Sequence, residues 1–80
     1  MTVTVLLFAS YADRLGTSRL ELTLPDGATV ADVFCAVGRL PGAEALPPSP
    51  LVAVNCSYAS ALTSLASGDE IAIIPPVAGG

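Results

Sequence analysis

The sequence contains no histidine, and it has only three basic residues and two cysteines among its 80 positions. Without histidine, two cysteines cannot complete a mixed zinc site, and they are too few for an all-cysteine zinc or iron–sulfur site. We therefore expect no metal site and no stably bound cofactor. The three arginines are dispersed and the formal net charge is −4. Nucleic acid is thus a poor partner, because phosphates are bound by clustered basic residues.

Long apolar runs are missing as well. No run reaches the roughly 18 residues that would span a bilayer, and residues 1–10 lack the basic start and the cleavage site of a signal peptide. We therefore expect a cytoplasmic protein that makes no membrane contact. In that reducing compartment both cysteines should be free thiols. Cys35 falls in a helical apolar pattern and is expected in the core, whereas Cys56 follows a strand and should be partly exposed.

Apolar residues are what the chain has in excess. Its composition is 52% hydrophobic and 12% charged, compared with about 25% charged in ordinary globular domains. Residues 1–80 can form one domain with a modest core, which is too small for the enclosed active site of a typical enzyme. So small a body cannot bury every apolar side chain. We therefore expect an apolar surface patch that another protein covers.

Alternating apolar residues predict four strands, at residues 2–9, 18–24, 51–55 and 70–74. A weaker apolar stretch before the last of them allows a fifth. One main helix should follow Thr29, with Asp32 as its capping partner. This order predicts an α+β protein of the β-grasp, ubiquitin-like fold, in which one main helix packs on a mixed four- to five-stranded sheet. The first and last strands would then be central neighbours.

Two connections are also predicted. A short helical turn, capped by Ser10 and ended by Gly16, should join the first two strands. Residues 43–50 should be irregular, because their prolines suit neither a helix nor a central strand.

The C-terminal segment is predicted to carry the chemistry. Pro75 and Pro76 favour an extended exit from the last strand, and residues 77–80 form a flexible tail that can reach at most about 13 Å. Val77 and Ala78 lead to Gly79 and Gly80, whose lack of side chains lets the tip enter a narrow channel in a partner. The Gly80 carboxylate is a poor electrophile at neutral pH, so it must first be activated as an acyl-adenylate.

Several segments match a known family along the whole chain: VLLFA at 5–9, TV at 29–30, VAVN at 52–55, GDE at 68–70 and PPVAGG at 75–80. They resemble the small subunit of molybdopterin synthase, the MoaD family of ubiquitin-like sulfur carriers. The GDE and PPVAGG segments are the most specific part of this match.

The resemblance implies a sulfur carrier in molybdenum cofactor biosynthesis that is not an enzyme on its own. Gly80 would be adenylated by a MoeB-like, ATP-dependent partner related to ubiquitin-activating enzymes, and a sulfur-donating protein would convert it to a thiocarboxylate. The tail would then enter the MoaE-like large synthase subunit and donate sulfur to cyclic pyranopterin monophosphate, also called precursor Z. In the family, two small and two large subunits form a heterotetramer.

Strand alternation supplies a docking face for such a partner. Leu6 and Phe8 should lie on the sheet face opposite the buried side of the first strand, and Ala72 and Ile74 on the same face of the last strand. Between neighbouring central strands, these four residues would form an apolar patch beside the exit of the tail. Asp69 and Glu70 could serve either the turn before the last strand or the docking of a partner.

Four other functions remain open on the sequence alone. A sulfur carrier of thiamine or cysteine biosynthesis also ends in two glycines on this fold, and a ubiquitin-like modifier would instead acylate lysines. A thiol enzyme that uses Cys56, or a plain interaction module, would depend on the body rather than on the tail.

Overall fold

The computed structural model describes residues 1–46 and 50–75, apart from the side chain of Ala45. Five strands and two helices are present in these residues, together with one 3-10 turn. The strands are β1 (Thr2–Leu7), β2 (Arg19–Thr23), β3 (Leu51–Val54), β4 (Ser57–Tyr58) and β5 (Glu70–Ile74). The helices are α1 (Ala9–Leu15) and α2 (Val30–Gly38), and the 3-10 turn is Ala43–Ala45.

The five strands form one mixed sheet in the order β2-β1-β5-β3-β4. β1 and β5 are parallel central neighbours, with Val5 opposite Ile71 and Leu6 opposite Ala72. The other pairs are antiparallel. The predicted mixed sheet, with its first and last strands side by side, is therefore confirmed. The fifth strand is the two-residue β4, which lies earlier in the chain than the weak apolar stretch expected to supply it.

The core lies between α2 and one face of the sheet. On that face the alternating residues of the two central strands are buried, and so is the inner side of the helix. The fully buried members are Val3, Val5, Leu7, Val30, Val33, Val37, Ile71 and Ile73. Because burial of each such side chain contributes about 1.5–3 kcal/mol, this cluster fixes which face of the sheet is left outside.

The start of α2 follows the predicted capping pair. The Asp32 carboxylate accepts a hydrogen bond from the Thr29 backbone N–H at 2.8 Å. The prediction that Cys35 lies in the core is wrong, because its side chain is exposed. At about 100° per residue, Cys35 is about 200° from both Val33 and Val37, which places it on the opposite side of the helix.

The observed ends of α1 agree only in part with the ends predicted from the sequence. Gly16 ends the helix in the left-handed region, with its N–H bonded to the Ala12 carbonyl, as predicted. Ser10 is not the cap, because the helix already begins at Ala9 and the residue before it is Phe8. The chain turns at Ala9, whose φ is 48°, and the helix starts two residues earlier than the cap pattern suggested.

Gly42 permits a close approach between the 3-10 turn and α1. Its φ is +91°, and a Cβ there would overlap the backbone carbonyl of Arg14. Gly16 has a similar φ of +76° but would place a Cβ in open space. The two glycines therefore form a matched pair.

We expect Gly42→Ala to lower the free energy of unfolding by about 3 kcal/mol or more, since left-handed strain and overpacking add. Gly16→Ala should cost only about 1 kcal/mol, from the strain alone. Urea unfolding of the two variants measures the difference. Equal losses of unfolding free energy in the two variants would contradict the close contact between Gly42 and the Arg14 carbonyl.

No described helix is both long enough and apolar enough to cross a membrane.

Candidate functional site

The face of the sheet that points away from α2 carries an apolar surface at one end. Leu6 is opposite Ala72, Ala72 is opposite Ala53, and Ala53 is opposite Tyr58, so these residues form a row across four strands. Leu51 is opposite Ile74 one step further along. We call this set the outer face: Leu6, Leu51, Ala53, Tyr58, Ala72 and Ile74.

Several side chains of the outer face and its border are open to solvent. Tyr58 is 78% exposed and Leu51 48%, and Phe8, just beyond the end of β1, is 45% exposed. Leu6, Ala72 and Ile74 are half-buried. A concentration of apolar groups on one open face is typical of a surface that a partner covers.

The structure thus brings Leu6, Ala72 and Ile74 onto one face, as the strand pattern predicted. Phe8 was expected in the same strand, but β1 ends at Leu7 and Phe8 is the residue before α1, at the border of this face. Leu51, Ala53 and Tyr58 were not predicted. The first two could have been found from the geometry of β3, because successive strand residues point to opposite faces and Val52 points into the core. Tyr58 could not, because a two-residue strand has no pattern of its own.

Charged and polar groups occupy the other end of this sheet face. Thr4 lies there between Glu21 on β2 and Glu70 on β5. Arg19 lies opposite Leu6 and so borders the apolar end on the β2 side. The apolar end is the one at which β5 finishes, at Ile74, and Pro75 follows directly. The outer face is therefore adjacent to Pro75, the last described residue before the C-terminal segment.

Residues 76–80, which include the predicted tail, lie outside the described residues. The roles predicted for Pro76, Val77, Ala78, Gly79 and Gly80 consequently stay predictions. Pro75 is described and is half-buried.

A polar clasp links the β3–β4 turn to the turn before β5. Asn55 donates from Nδ2 to the Asp69 carboxylate at 2.9 Å, and its Oδ1 accepts from the Glu70 N–H at 3.0 Å. The second oxygen of Asp69 accepts from the Ala66 N–H at 2.8 Å. Asn55 has a φ of 50°, which asparagine tolerates in a tight hairpin turn. The Asp69 carboxylate is thus used within the chain, which favours the turn role over docking.

These bonds hold the pKa of Asp69 below its ordinary value, chiefly through the Ala66 N–H and next through Asn55. A carboxylate with a lowered folded-state pKa stabilises the fold above its unfolded pKa of about 3.9, and this contribution is lost as pH falls through the folded-state value.

We expect Asp69→Asn to lower the free energy of unfolding by about 1 kcal/mol at neutral pH, because an amide offers one acceptor oxygen to two donors. The difference in the free energy of unfolding between variant and wild type should become smaller below about pH 4. Denaturant unfolding from pH 7 to pH 3 measures both effects. Asp13→Asn, at an exposed position on α1, is the matched control and should change stability little. A difference in the free energy of unfolding that is constant with pH would contradict a stabilising role for the hydrogen bonds of the Asp69 carboxylate.

Two further features of the described residues do not form a reactive site. No group of three or more acidic, cysteine or histidine side chains could hold a metal ion. A cavity of about 190 Å³ lies beneath the 3-10 turn, and its lining residues bear no titratable side chain: Phe34, Val37, Gly38, Ala43, Leu46, Pro50 and Ile73. Cys56 is exposed in the turn between β3 and β4 and does not line this cavity.

A mixed five-stranded sheet with parallel central strands and one main helix on one face is a ubiquitin-like β-grasp domain. The crystal structure of SAMP1 from Haloferax volcanii has this fold, with a TM-score of 0.87 and 30% identity over the whole of both chains. The family comparison is equally extensive, since the ThiS family matches residues 5–80. This chain belongs to the ThiS family.

Curated relatives narrow the comparison. A molybdopterin synthase sulfur carrier subunit from Aedes aegypti is 39% identical, over 98% of this chain and 88% of the relative. One from Arabidopsis thaliana is 33% identical, over 98% of this chain and 82% of the relative. The resemblance to the MoaD family noted in the sequence is therefore confirmed.

Proposed function

We propose that this chain is the sulfur carrier subunit of a molybdopterin synthase and that its C-terminal glycine is the reacting group. The observation that carries the proposal is likeness over nearly the whole chain to a protein of that name, at 39% identity. The family match also extends to Gly80, so the Gly79-Gly80 end lies within the matched region. The outer face, beside the start of the tail, gives the body a surface with which to dock.

Activation of the tail follows from the chemistry of a carboxylate. Ionised Gly80 is a poor electrophile. A MoeB-like adenylyltransferase joins one carboxylate oxygen to the α-phosphate of ATP, and pyrophosphate leaves. Sulfide-level sulfur from a sulfur-donating protein then attacks the carbonyl carbon, and AMP leaves. The product is a thiocarboxylate, a soft anion that resembles a thiolate in reactivity.

Delivery takes place in the large subunit. The MoaE-like partner covers the outer face, and the tail carries the thiocarboxylate to a site that binds cyclic pyranopterin monophosphate. The sulfur forms a bond to a carbon of the pterin substrate as an oxygen substituent leaves that carbon. Water then cleaves the acyl–sulfur bond, which leaves the sulfur on the pterin and restores the Gly80 carboxylate. The body contributes docking and direction, while the partners supply the acid, base and nucleotide chemistry. The chain is therefore a non-catalytic subunit of the two-small, two-large synthase.

A second candidate function is that of a ubiquitin-like modifier. The observation that favours it is the likeness to SAMP1, whose name stands for small archaeal modifier protein 1. Both functions begin with the same acyl-adenylate at the C-terminus. They differ in what attacks it, which is sulfur in a carrier and a lysine amine in a modifier.

Intact-mass spectrometry separates the two functions. The chain is incubated with the activating enzyme, ATP and a sulfur source, with and without large subunit and pterin. We expect one oxygen at Gly80 to be replaced by sulfur, and the sulfur to be lost when the pterin is present. All three basic residues are arginines, so the chain has no lysine of its own and lysine acylation must be sought on added proteins. Isopeptide products without incorporation of sulfur would show that the chain acts as a modifier and not as a sulfur carrier.

A further inference from the structure

On the side of β2 that faces away from β1, a short run of backbone N–H and C=O groups has no hydrogen-bond partner. The groups on either side of this run already have partners or need none. In the antiparallel pair with β1, residues 20, 22 and 24 direct their N–H and C=O groups toward β1, as the reciprocal bonds between Met1 and Leu24 at 2.7 and 2.8 Å show. Residues 19, 21, 23 and 25 therefore direct theirs away from the sheet. β2 is the outermost strand on this side.

The two outer members of this set need no partner. The Thr17 hydroxyl donates to the Arg19 carbonyl at 2.8 Å and accepts from the Arg19 N–H at 3.3 Å. Pro25 has no N–H, and its carbonyl accepts from Ala28 at 3.2 Å. Within residues 1–46 and 50–75, the N–H and C=O groups of Glu21 and Thr23 have no hydrogen-bond partner. The edge of β2 thus offers two N–H donors and two C=O acceptors to a neighbouring strand.

The sequence of this edge is self-complementary. Residues 20–24 read Leu-Glu-Leu-Thr-Leu, a polarity pattern that is symmetric about Leu22. If an identical strand is placed antiparallel with its two-fold axis at Leu22, Glu21 faces Thr23 of the copy and Thr23 faces Glu21. All four backbone groups on each strand are then paired, and no two like charges are directly opposed. A two-fold interface requires this kind of self-complementary surface.

The apolar side of the edge fits the same arrangement. Leu20, Leu22 and Leu24 are half-buried beside the core. In the Leu22-centred register, Leu22 faces its own copy and Leu20 faces Leu24, so each leucine gains a leucine neighbour. An alternative register centred on Glu21 would oppose two glutamates and would also require the already satisfied groups of Arg19.

We propose that β2 pairs with β2 of a second copy of this chain about Leu22, joining two five-stranded sheets edge to edge. The two-fold axis is perpendicular to the sheet, so both copies of α2 lie on one side and both outer faces on the other. Neither the outer face nor Pro75 is used. Because an interface of this size is small, the dimer should be weak, with a dissociation constant on the order of 100 µM.

Charge substitution tests the register without disturbing the backbone. Thr23→Glu places two pairs of glutamates opposite each other in the dimer, and we expect dimerisation to weaken about tenfold. The double variant E21K/T23E places opposite charges in the same positions and should restore it. Both substituted side chains are exposed, so the monomer should remain folded. Sedimentation from micromolar to millimolar concentration measures the association.

Amide exchange provides an independent readout of the same proposal. The Glu21 and Thr23 amides should exchange rapidly at low concentration and become protected at high concentration. Each of three results would overturn the proposal: a monomer at millimolar concentration, a dimer that tolerates Thr23→Glu, and a loss of association that the double variant does not restore. Protection that appears only on adding an unrelated peptide of alternating leucine and polar residues would make a foreign strand the occupant and would also overturn it.

Discussion

Deletion of Gly80 should reduce sulfur loading of the chain by at least about 100-fold. The truncated chain still ends in a glycine carboxylate, but its reacting carbon is one residue short, a retreat of about 3.5 Å when the tail is extended. A misplacement of about 1 Å in an active site can cost about 100-fold in rate, so the activating enzyme should no longer bring this carbon to the nucleotide. Intact-mass measurement after incubation with activating enzyme, ATP and sulfur source gives the loading rate.

Two further variants make this result specific. Gly80→Ala keeps the length of the tail and adds one methyl group, so it should load more slowly than wild type but faster than the truncated chain. Cys56→Ser is the control for a thiol mechanism, and we expect it to load at the wild-type rate. Loading that survives deletion of Gly80, or that is lost in Cys56→Ser, would reject the tail as the reacting group.

Much of the fold could be predicted because the central strands carry strong patterns. Val5 and Ile71 each alternate with exposed or half-buried neighbours, and the strands that contain them pair as expected. Gly16 and the Thr29–Asp32 pair were recognisable for a similar reason, since helix ends depend on a few adjacent residues.

Features that depend on distant residues could not be predicted. Asn55 and Asp69 are 14 positions apart, and only the folded sheet shows that they bond to each other. β4 exists because the turn at Asn55 and Cys56, both with positive φ, folds Tyr58 back onto Ala53. The two residues of β4 are too few to show a strand pattern of their own, so Tyr58 was missing from the predicted docking face.

The unbonded groups at Glu21 and Thr23 could not be inferred from the sequence either, although the polarity pattern around Leu22 is visible in it. The sequence does not show which residues of β2 direct their backbone N–H and C=O groups away from β1. That depends on the register with β1, which is fixed only when the core residues on both strands are placed on the same side.

The docking function of the outer face predicts a large loss of affinity from one introduced charge. Leu51→Asp should weaken binding to the large synthase subunit by about 30-fold or more, because a carboxylate would be buried without a partner at an apolar contact. Leu6→Asp should weaken binding less, because Arg19 lies opposite position 6 and can pair with the carboxylate. Leu62→Asp is the matched control. Leu62 is 85% exposed, and its neighbours Ala61 and Thr63 bond to the first turn of α2, on the opposite side of the sheet.

Titration calorimetry with the large subunit gives the three affinities, and urea unfolding shows that each variant is folded. We expect the Leu62 variant to bind within about twofold of wild type. Leu51 is the more decisive of the two outer-face positions, because it is 48% exposed and its replacement should disturb the core least. If Leu51→Asp and Leu62→Asp bind equally well, the large subunit docks elsewhere, and the position of the apolar end beside Pro75 has no role in guiding the tail.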